Sequence, residues 1–440
     1  MMMKEMFQTS YVKEYFKRPF GLFYCIIVIS KGCVKMSKVV VIGAGASGII
    51  ASLVASSFNE VVLLEGMDKC AKKILLTGNG KCNYWNEDIN TGKYNTDDVS
   101  CLEQIISSTN QENVLSFLSS IGLYPKIKNG YYYPYSTSAS SVREIFMKQL
   151  EKRNIKIISN FKVKDIKKEK DTFIISSEEK QIKADKIILA TGSKAFSKTG
   201  SDGSGYILSS TFGHTIHPIY PALTSLISSK KYDWAGTRVD AKLELFIDDK
   251  KVQEELGEIQ LTENGISGIC TFNISSKVSK NLNKKITVKI NFLPNLEESC
   301  YQFLTKRNEF IKNCTIEELL ESIFPYKLMF VLLKEAGIKK DSYWNALKEE
   351  EKNRFVNIVE QFPLEIIDTS SFDKAQVCTG GVSLTEINPL TMESKIVDNL
   401  YIVGELLDVD GICGGFNLAF AFITGYLAGK GVNNDKSKTN

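Results

Sequence analysis

Three glycines stand where a polypeptide could hold a phosphate group. Residues 43–48 (GAGASG) follow the β-branched run 38–42 and open a stretch, 48–58, that is rich in alanine, serine and isoleucine. A glycine turn between a buried strand and a helix lets the backbone approach a pyrophosphate, which then rests on the helix N-terminus. Glu65 ends the next strand-like run, 60–65, where a carboxylate can bind the hydroxyls of an adenosine ribose. The spacing predicts a dinucleotide-binding unit; a glycine turn without a ligand is the alternative.

Four further segments favour FAD over NAD as the dinucleotide. Residues 73–83 (KILLTGNGKCN) are a glycine-rich loop that could wrap the pyrophosphate and ribityl chain, although an ordinary surface loop would look similar. Residues 190–192 (ATG) end a predicted strand, and Glu405, at the end of another, could accept hydrogen bonds from ribityl hydroxyls. Residues 410–417 (DGICGGFN) lead into a small apolar helix, whose N-terminus can stabilise negative charge on a reduced flavin.

The predicted elements that position these motifs fall into two groups. Unbroken apolar runs, typical of buried parallel strands, occur at 38–42, 60–65, 186–190 and 399–403. Short alternating runs between 200 and 295 instead predict an antiparallel sheet or small barrel. Helical periodicity is predicted for 97–122, 140–153, 298–360 and the closing helix 417–427.

These elements, in this order, predict an α/β fold: a two-dinucleotide-type FAD domain split by an inserted second domain, which contains an antiparallel sheet or small barrel. The chain is expected to begin with an N-terminal extension at 1–35 and to end with a polar tail at 433–440. Between them, the FAD domain is expected to comprise two segments, 36–195 and 371–432, on either side of the insert at 196–370.

The N-terminal extension contains an apolar segment that is too short to span a bilayer, residues 20–30. No small-residue cleavage site of the A-x-A type follows it. We expect Met36, directly before the first strand, to be the working start, with a targeting segment as the alternative.

Composition bounds the partners. The formal net charge is +4 and 24% of residues are charged, which does not indicate a nucleic-acid or membrane surface. None of the ten cysteines forms a C-x-x-C pair, so we expect reduced thiols in a cytoplasmic protein. His214 and His217 are the only histidines, and no metal site is predicted. A small molecule is the expected substrate, and the oligomeric state is not predicted.

Beyond these arguments, residues 37–432 resemble the bacterial NAD(P)/FAD-dependent oxidoreductases of the aminoacetone-oxidase type, a family that includes bile-acid 3-dehydro-Δ4,6-reductase-like members. The resemblance rests on VVVIGAGASG (39–48), KKILLTGNGKCN (72–83), 188–216, YPALTSL (220–226) and ENGISG (263–268). The most specific blocks are FDKAQVCTGGVSLTEINPLTMESK (372–395) and LYIVGELLDVDGICGGFNLAFAFITGYLAG (400–429). Cys413 departs from the family pattern, in which threonine is usual.

The resemblance implies a Rossmann-like FAD domain split by an inserted antiparallel β-barrel domain with a small helical subdomain. It also implies a set of FAD contacts: Gly43, Gly45, Gly48, Glu65, Lys73, Asn79, Gly80, Cys82, Thr191, Gly192, Glu405, Gly415 and Asn417. Neighbouring positions complete the predicted site: Ala46, Ser47, Gly66, Thr77, Gly78, Asn83, Val163, Ala190, Gly404, Gly414 and Phe416.

The resemblance also implies a reaction, in which NADH or NADPH reduces FAD and a hydride then passes to the conjugated C=C bond of an enone-like organic acid or steroid. Three alternatives stay open: an O₂-dependent oxidase of small amines or aminoketones, a flavoprotein acting on RNA, and a non-catalytic FAD-binding protein.

Few side chains are candidates for the chemistry itself. Cys82, Cys413, Asp410 and His214 are the catalytic candidates, with Asp408 and His217 considered beside them. The alternatives are packing for the two cysteines, capping and turn chemistry for the two aspartates, and a structural role for the two histidines. The tyrosines within 131–135 either line a lipophilic pocket or pack a domain interface.

Overall fold

The structure, a computed structural model, describes residues 36–108 and 111–434. The predictions for 1–35 and for most of the polar tail therefore lie outside the described residues. The strands are β1 (Lys38–Ile42), β2 (Glu60–Leu64), β3 (Trp85–Asn86), β4 (Tyr94–Asn95), β5 (Pro125–Lys128), β6 (Tyr131–Pro134), β7 (Lys156–Ile158), β8 (Asp165–Glu169), β9 (Thr172–Ser176), β10 (Gln181–Ala184), β11 (Lys186–Leu189), β12 (Tyr220–Ala222), β13 (Leu226–Ser228), β14 (Arg238–Ile247), β15 (Lys250–Thr262), β16 (Gly265–Ser267), β17 (Ile286–Asn291), β18 (Phe362–Thr369), β19 (Val377–Thr379), β20 (Leu400–Ile402) and β21 (Asp410–Gly411). The α-helices are α1 (Ala46–Ala55), α2 (Val99–Ser108), α3 (Gln111–Ser120), α4 (Ala139–Lys152), α5 (Ser204–Thr211), α6 (Ile269–Ser279), α7 (Cys300–Phe310), α8 (Ile316–Leu320), α9 (Tyr326–Ala336), α10 (Glu349–Glu360) and α11 (Phe416–Gly431).

A five-stranded parallel sheet of order β20–β11–β1–β2–β7 forms the Rossmann-like domain. Four of the five residues of its central strand β1 are buried, as the apolar run 38–42 predicted. The carboxyl ends of β1, β2, β11 and β20 share one edge, which is where open α/β sheets bind ligands.

Helices α1 and α11 cross closely at this sheet. A Cβ at Gly425 would lie only 2.4 Å from the backbone oxygen of Ser47, so a larger residue could not occupy this crossing. The two ends of the chain segment 37–434 thus build one FAD-domain core, as predicted for a split domain.

Six antiparallel strands close the predicted barrel in the order β13–β16–β15–β14–β17–β18. Ala241, Leu243 and Leu245 alternate into a second hydrophobic core that α6 and the helices of 300–360 also share. The fold class is confirmed: an α/β FAD-type Rossmann domain carries an inserted barrel with a helical piece. The domain boundaries given above remain predictions.

Several predicted elements were wrong in detail. Within the stretch 97–122, predicted as one helix, the described residues form two helices, α2 (Val99–Ser108) and α3 (Gln111–Ser120). The loop 73–83 instead contains 3₁₀ turns over Lys73–Gly80, with Gly78 and Asn79 left-handed. Helices α5 and α6 and strand β10 were not predicted. Helix α6 escaped prediction because serine, threonine and asparagine dilute its apolar stripe.

Candidate functional site

The first glycine turn is fixed by close backbone packing. Gly43 follows β1 with φ +105°, and a Cβ there would lie 2.3 Å from the Ala190 carbonyl oxygen at the end of β11. A Cβ at Gly48 would lie 1.9 Å from the Gly43 carbonyl oxygen. Glycine at both positions is therefore required for β1, α1 and β11 to meet at this edge.

The middle glycine faces open space instead. A Cβ at Gly45 would have no atom within 4 Å. Gly45 is the N-cap of α1, which has neither a side-chain cap nor an acidic residue in its first turn, where Ala46 and Ser47 lie. Free backbone N–H groups and the positive end of the helix dipole fit an anion here. The turn therefore fits the pyrophosphate of FAD.

Glu65 lies beside this turn at the end of β2. Its Oε2 accepts a hydrogen bond from the Ala44 N–H (2.9 Å) and its Oε1 accepts one from the Met67 N–H (2.8 Å). Burial raises the pKa of Glu65, against these backbone hydrogen bonds, which lower it. Each oxygen keeps a lone pair for a ribose hydroxyl. The carboxylate thus both braces the glycine turn and remains the predicted ribose ligand.

Two of the predicted FAD contacts meet each other. Lys73 Nζ lies 2.6 Å from Glu405 Oε2, and Ser193 Oγ donates a hydrogen bond to the same oxygen (3.1 Å). Lys73 lies on the 3₁₀ turn, and Glu405 lies just after β20. The ion pair joins the glycine-rich segment 73–83 to the carboxyl edge of the sheet.

The loop 411–415 leads into α11 with little room around it. A Cβ at Gly415 would lie 2.6 Å from the Trp85 carbonyl oxygen, and a Cβ at Gly414 would touch the rings of Phe416 and Tyr131. Helix α11, like α1, has no side-chain cap and no acidic residue in its first turn. Its N-terminus can therefore favour negative charge near a flavin, as expected from the sequence.

Asn417 acts within this loop. Its side-chain amide donates to the Gly411 carbonyl oxygen and accepts from the Gly411 N–H, both at 2.8 Å. The Asn273 side chain, on α6 of the inserted domain, accepts a hydrogen bond from the Cys413 N–H (2.9 Å). The loop is thereby held both by Asn417 of its own segment and by Asn273 of the inserted domain. No sequence motif indicated Asn273.

The remaining predicted FAD residues lie along the same edge or close to it. Thr191 and Gly192 follow β11, and the Thr191 hydroxyl is buried without a hydrogen-bond partner among the described residues. Asn83 bonds the carbonyls of Tyr132 and Trp85, and Val163 is buried in the main core. Gly66 directly follows Glu65, and Gly404 packs on Ser47. The glycine-rich segment 73–83 contains Thr77, Gly80 and Cys82.

The catalytic candidates differ in their surroundings. The thiols of Cys82 and Cys413 are free, and burial raises the pKa of each to about 12. Both are therefore neutral thiols at physiological pH. His214 is buried with Nδ1 2.9 Å from Glu386 Oε2 and Nε2 2.9 Å from Ser394 Oγ. With both ring nitrogens engaged, His214 holds segments 204–216 and 384–397 together.

Among the catalytic candidates, Asp410 is a buried carboxyl group with one oxygen atom that has no hydrogen-bond partner among the described residues. It is 1% exposed, and Asn95 Nδ2, opposite it in the β4–β21 pair, donates to its Oδ2 (2.9 Å). Its Oδ1 has no hydrogen-bond partner among the described residues, and neither has the neighbouring Thr379 hydroxyl. Burial raises the pKa of Asp410 to about 6. The sequence singled out Asp410 but gave no sign of Asn95 or Thr379, although the glycine pair after Thr379 resembles the other ligand-edge turns.

Apolar side chains cover the side of the loop that faces the inserted domain. Cys413 packs with Ala222, Leu223, Val377 and Phe272. Of the tyrosines within 131–135, Tyr131 lies against Gly414, whereas Tyr135 is exposed and its ring contacts that of Tyr124 at an interplanar angle of 54°. In the described residues of the chain, no helix is long and apolar enough to cross a membrane.

Known proteins resemble this chain along nearly its whole described length. The family model of the HI0933-like protein Rossmann domain matches residues 37–431. A 3-dehydro-bile acid Δ(4,6)-reductase from Clostridium scindens is 40% identical over 90% of this chain and 98% of its own. A ribosomal RNA dihydrouridine synthase from Escherichia coli is 24% identical over 87% of this chain and 94% of its own. Among solved structures, a flavocytochrome c3 fumarate reductase matches with a TM-score of 0.48 and 14% identity over 91% of this chain and 78% of its own.

Proposed function

Because the chain belongs to the HI0933-like Rossmann family of FAD-binding oxidoreductases, we propose that it reduces a C=C bond conjugated to a carbonyl group. The proposed substrate is an enone-like organic acid or steroid, and the proposed electron donor is NADH or NADPH. The observation that carries the proposal is the 40% identity, over 98% of its length, to the bile acid reductase of Clostridium scindens.

When bound, reduced FAD supplies the hydride for such a reduction. The α1 N-terminus, with the open space at Gly45, would hold the pyrophosphate, and Glu65 would hold the adenosine ribose. The Lys73–Glu405 pair would bind the ribityl chain, and the α11 N-terminus would stabilise negative charge on the reduced flavin. These groups orient the cofactor and set its electrostatics.

The apolar wall beside the loop suits a lipophilic substrate. Phe272 and Val377, with the half-buried Cys413, can cover hydrocarbon surface and exclude water from the reacting bond. Since Phe272 lies on α6, the inserted domain supplies a wall of the proposed substrate site.

RNA is the second candidate substrate, because rRNA dihydrouridine synthases are among the relatives. Dihydrouridine also arises by reduction of a C=C bond conjugated to a carbonyl, so both candidates need the same chemistry. An RNA-binding face needs cations that are free to meet phosphates. On the barrel, several cations are instead paired with acids: Arg238 with Glu258, Lys242 and Lys251 with Glu244 and Glu254, and Lys285 with Asp249. This mixed surface and the higher identity favour the small molecule.

The test uses purified full-length protein loaded with FAD under anaerobic conditions. We expect NADH or NADPH to bleach the visible flavin absorbance within seconds, and a 3-oxo-Δ4,6 bile acid to restore it with loss of the substrate's enone absorbance. Gly45→Ala, which should fold without holding FAD, is the control for uncatalysed reduction. A flavin that bleaches and is reoxidised only by O₂ would favour the oxidase alternative. Reoxidation by rRNA fragments but not by enones would replace the proposed substrate.

A further inference from the structure

Four titratable side chains lead from the surface to the loop before α11. The exposed fraction of the side chain falls from 59% at Asp97 to 27% at His217 and 3% at Asp408. Asp410, the innermost, is 1% exposed and directly precedes the loop 411–415. The four residues come from three separate segments of the chain, and contacts join the outer three, while Asp410 lies two positions after Asp408.

Short contacts connect the outer end of this line. His217 Nδ1 lies 2.8 Å from Asp97 Oδ2 and 3.9 Å from Asp408 Oδ2. The Asp97 N–H donates a hydrogen bond to Asp408 Oδ2 (3.3 Å). A proton on His217 Nδ1 can therefore pass to either carboxylate with a small movement of the imidazole ring. Histidine suits this role because its ordinary pKa lies near neutrality.

The inner end is set up to hold a proton. Asp408 and Asp410 are two residues apart, and the negative charge of Asp408 favours the neutral form of Asp410. Burial raises the pKa of both carboxyl groups, while Lys280, near Asp97, favours their charged forms. Asn95 donates its hydrogen bond to Asp410 from β4 and also favours the charged form of Asp410. The balance leaves Asp410 far easier to protonate than an ordinary aspartate.

We propose that Asp97, His217, Asp408 and Asp410 form a proton path that carries protons from solvent to the loop beside the flavin. The path rests on the proposed function, because that reaction consumes a solvent proton. Reduction of the C=C bond forms two C–H bonds: the hydride supplies the one at the β carbon with both electrons. The O–H bond of Asp410 breaks to supply the proton at the carbon next to the carbonyl. The Asp410 carboxylate is then reprotonated through Asp408 and His217.

The path has a consequence for the flavin that is independent of any substrate. Negative charge that arrives near the α11 N-terminus on reduction disfavours a second negative charge on Asp410, since like charges in a buried site repel. Asp410 should therefore take up a proton when the flavin takes up electrons.

The first experiment measures this linkage on full-length FAD-loaded protein without substrate. The reduction potential of the bound flavin is titrated between pH 5 and pH 8, and its slope gives the protons taken up per two electrons. We expect the wild type to take up one more proton than Asp410→Asn above the pKa of Asp410, near 6. Equal proton counts in the two proteins would overturn the proposal. Glu254→Gln, an exposed acid on the barrel, is the control and should match the wild type.

The second experiment tests the outer path with a half-exposed residue whose loss should not affect folding. After rapid reduction of the flavin in weakly buffered solution, an indicator dye follows proton uptake. We expect His217→Asn to slow the uptake about 100-fold, at the low end of the effect typical of lost general acid–base groups, and added imidazole to restore it. An unchanged rate would overturn the path.

Both readouts separate this inference from the proposed function. If no enone is reduced but proton uptake depends on Asp410 and His217, the path stands and the substrate is wrong. If enones are reduced while the proton count and uptake rate are unchanged in the variants, the substrate stands and the path is wrong.

Discussion

Lys73 and Glu405, 332 positions apart in the chain, form an ion pair with 2.6 Å between Nζ and Oε2. In the sequence, Lys73 precedes the inserted domain, and Glu405 follows both the inserted domain and β20. The pair therefore ties the two segments of the split FAD domain together at the edge where the cofactor is expected. Both side chains are partly buried, so each depends on the other for charge compensation.

A double-mutant cycle tests this pair. We expect Lys73→Met and Glu405→Gln each to weaken FAD binding about 10- to 100-fold, because a charged hydrogen bond contributes about 1.5–3 kcal/mol. The double variant should lose less than the product of the two effects, since the partners are coupled. Quenching of FAD fluorescence by the apoprotein measures the affinity. Fully additive losses would show that each residue contacts FAD independently.

Gly45 and Gly48 should respond oppositely to the same added methyl group. Gly45→Ala places its Cβ in open space at an ordinary φ of −86°, so the apoprotein should lose no more than about 1 kcal/mol of stability. The methyl group would occupy the expected pyrophosphate position and lower FAD affinity at least about 100-fold, or about 3 kcal/mol. Gly48→Ala forces a Cβ against the Gly43 carbonyl oxygen and should destabilise the apoprotein itself by about 3 kcal/mol.

Urea unfolding of the apoproteins and FAD titrations separate these two effects. A Gly45→Ala protein that binds FAD normally would mean that the pyrophosphate does not lie at the α1 N-terminus.

The stability of the protein should carry a pH signature from Asp410. An unfolded aspartate ionises near pH 4, whereas Asp410 in the folded chain ionises at about 6. Between these values the folded state binds more protons than the unfolded state, so the free energy of unfolding falls as pH rises. A shift of about two pKa units corresponds to about 3 kcal/mol. Asp410→Asn should remove this fall, so that the free energy of unfolding of the variant rises relative to that of the wild type from about pH 4 to about pH 7.

Urea denaturation at a series of pH values measures the difference between the two proteins. Asp202→Asn is a control of opposite sign, because hydrogen bonds with Lys162 and Ser204 outweigh the effect of burial and hold the pKa of Asp202 below its usual value. The Asp202 contribution is present above about pH 4 and is lost as pH falls. Parallel curves for wild type and Asp410→Asn would contradict the raised pKa.

Substitution of the two histidines should have different effects, on stability for His214 and on proton transfer for His217. His214→Phe leaves Glu386 and Ser394 without their imidazole partner in a buried site and should cost about 3 kcal/mol of stability. Bound flavin in the surviving folded protein should keep its pH-dependent potential. His217→Asn should instead leave the unfolding free energy and the pH dependence of the potential nearly unchanged, and slow only the proton uptake that follows flavin reduction. Thermal unfolding, the potential titration and the dye measurement of proton uptake, done on both variants, check this contrast.

Much of the fold could be predicted because its signals are local. The run 38–42, the turn 43–48 and Glu65 lie within one short βαβ unit, in which the residue types reflect the local backbone conformation. The alternating runs between 200 and 295 indicated an antiparallel sheet or small barrel for the same reason. Helix α6 was missed because its polar residues face other protein segments rather than solvent: Ser276 accepts from Asn95, and Asn273 from Cys413.

By itself, the sequence determined that this chain is a split Rossmann-type FAD protein with an inserted barrel, since strand periodicity and glycine turns are encoded by neighbouring residues. Only the tertiary structure decided which distant side chains meet. It paired Lys73 with Glu405, enclosed His214 between Glu386 and Ser394, and brought His217 to Asp97 and Asp408. The hydrophobic periodicity of a segment predicts which of its side chains are buried, but it does not predict which residues they contact. The partners are fixed when the parallel sheet gathers the ends of separate strands at one edge.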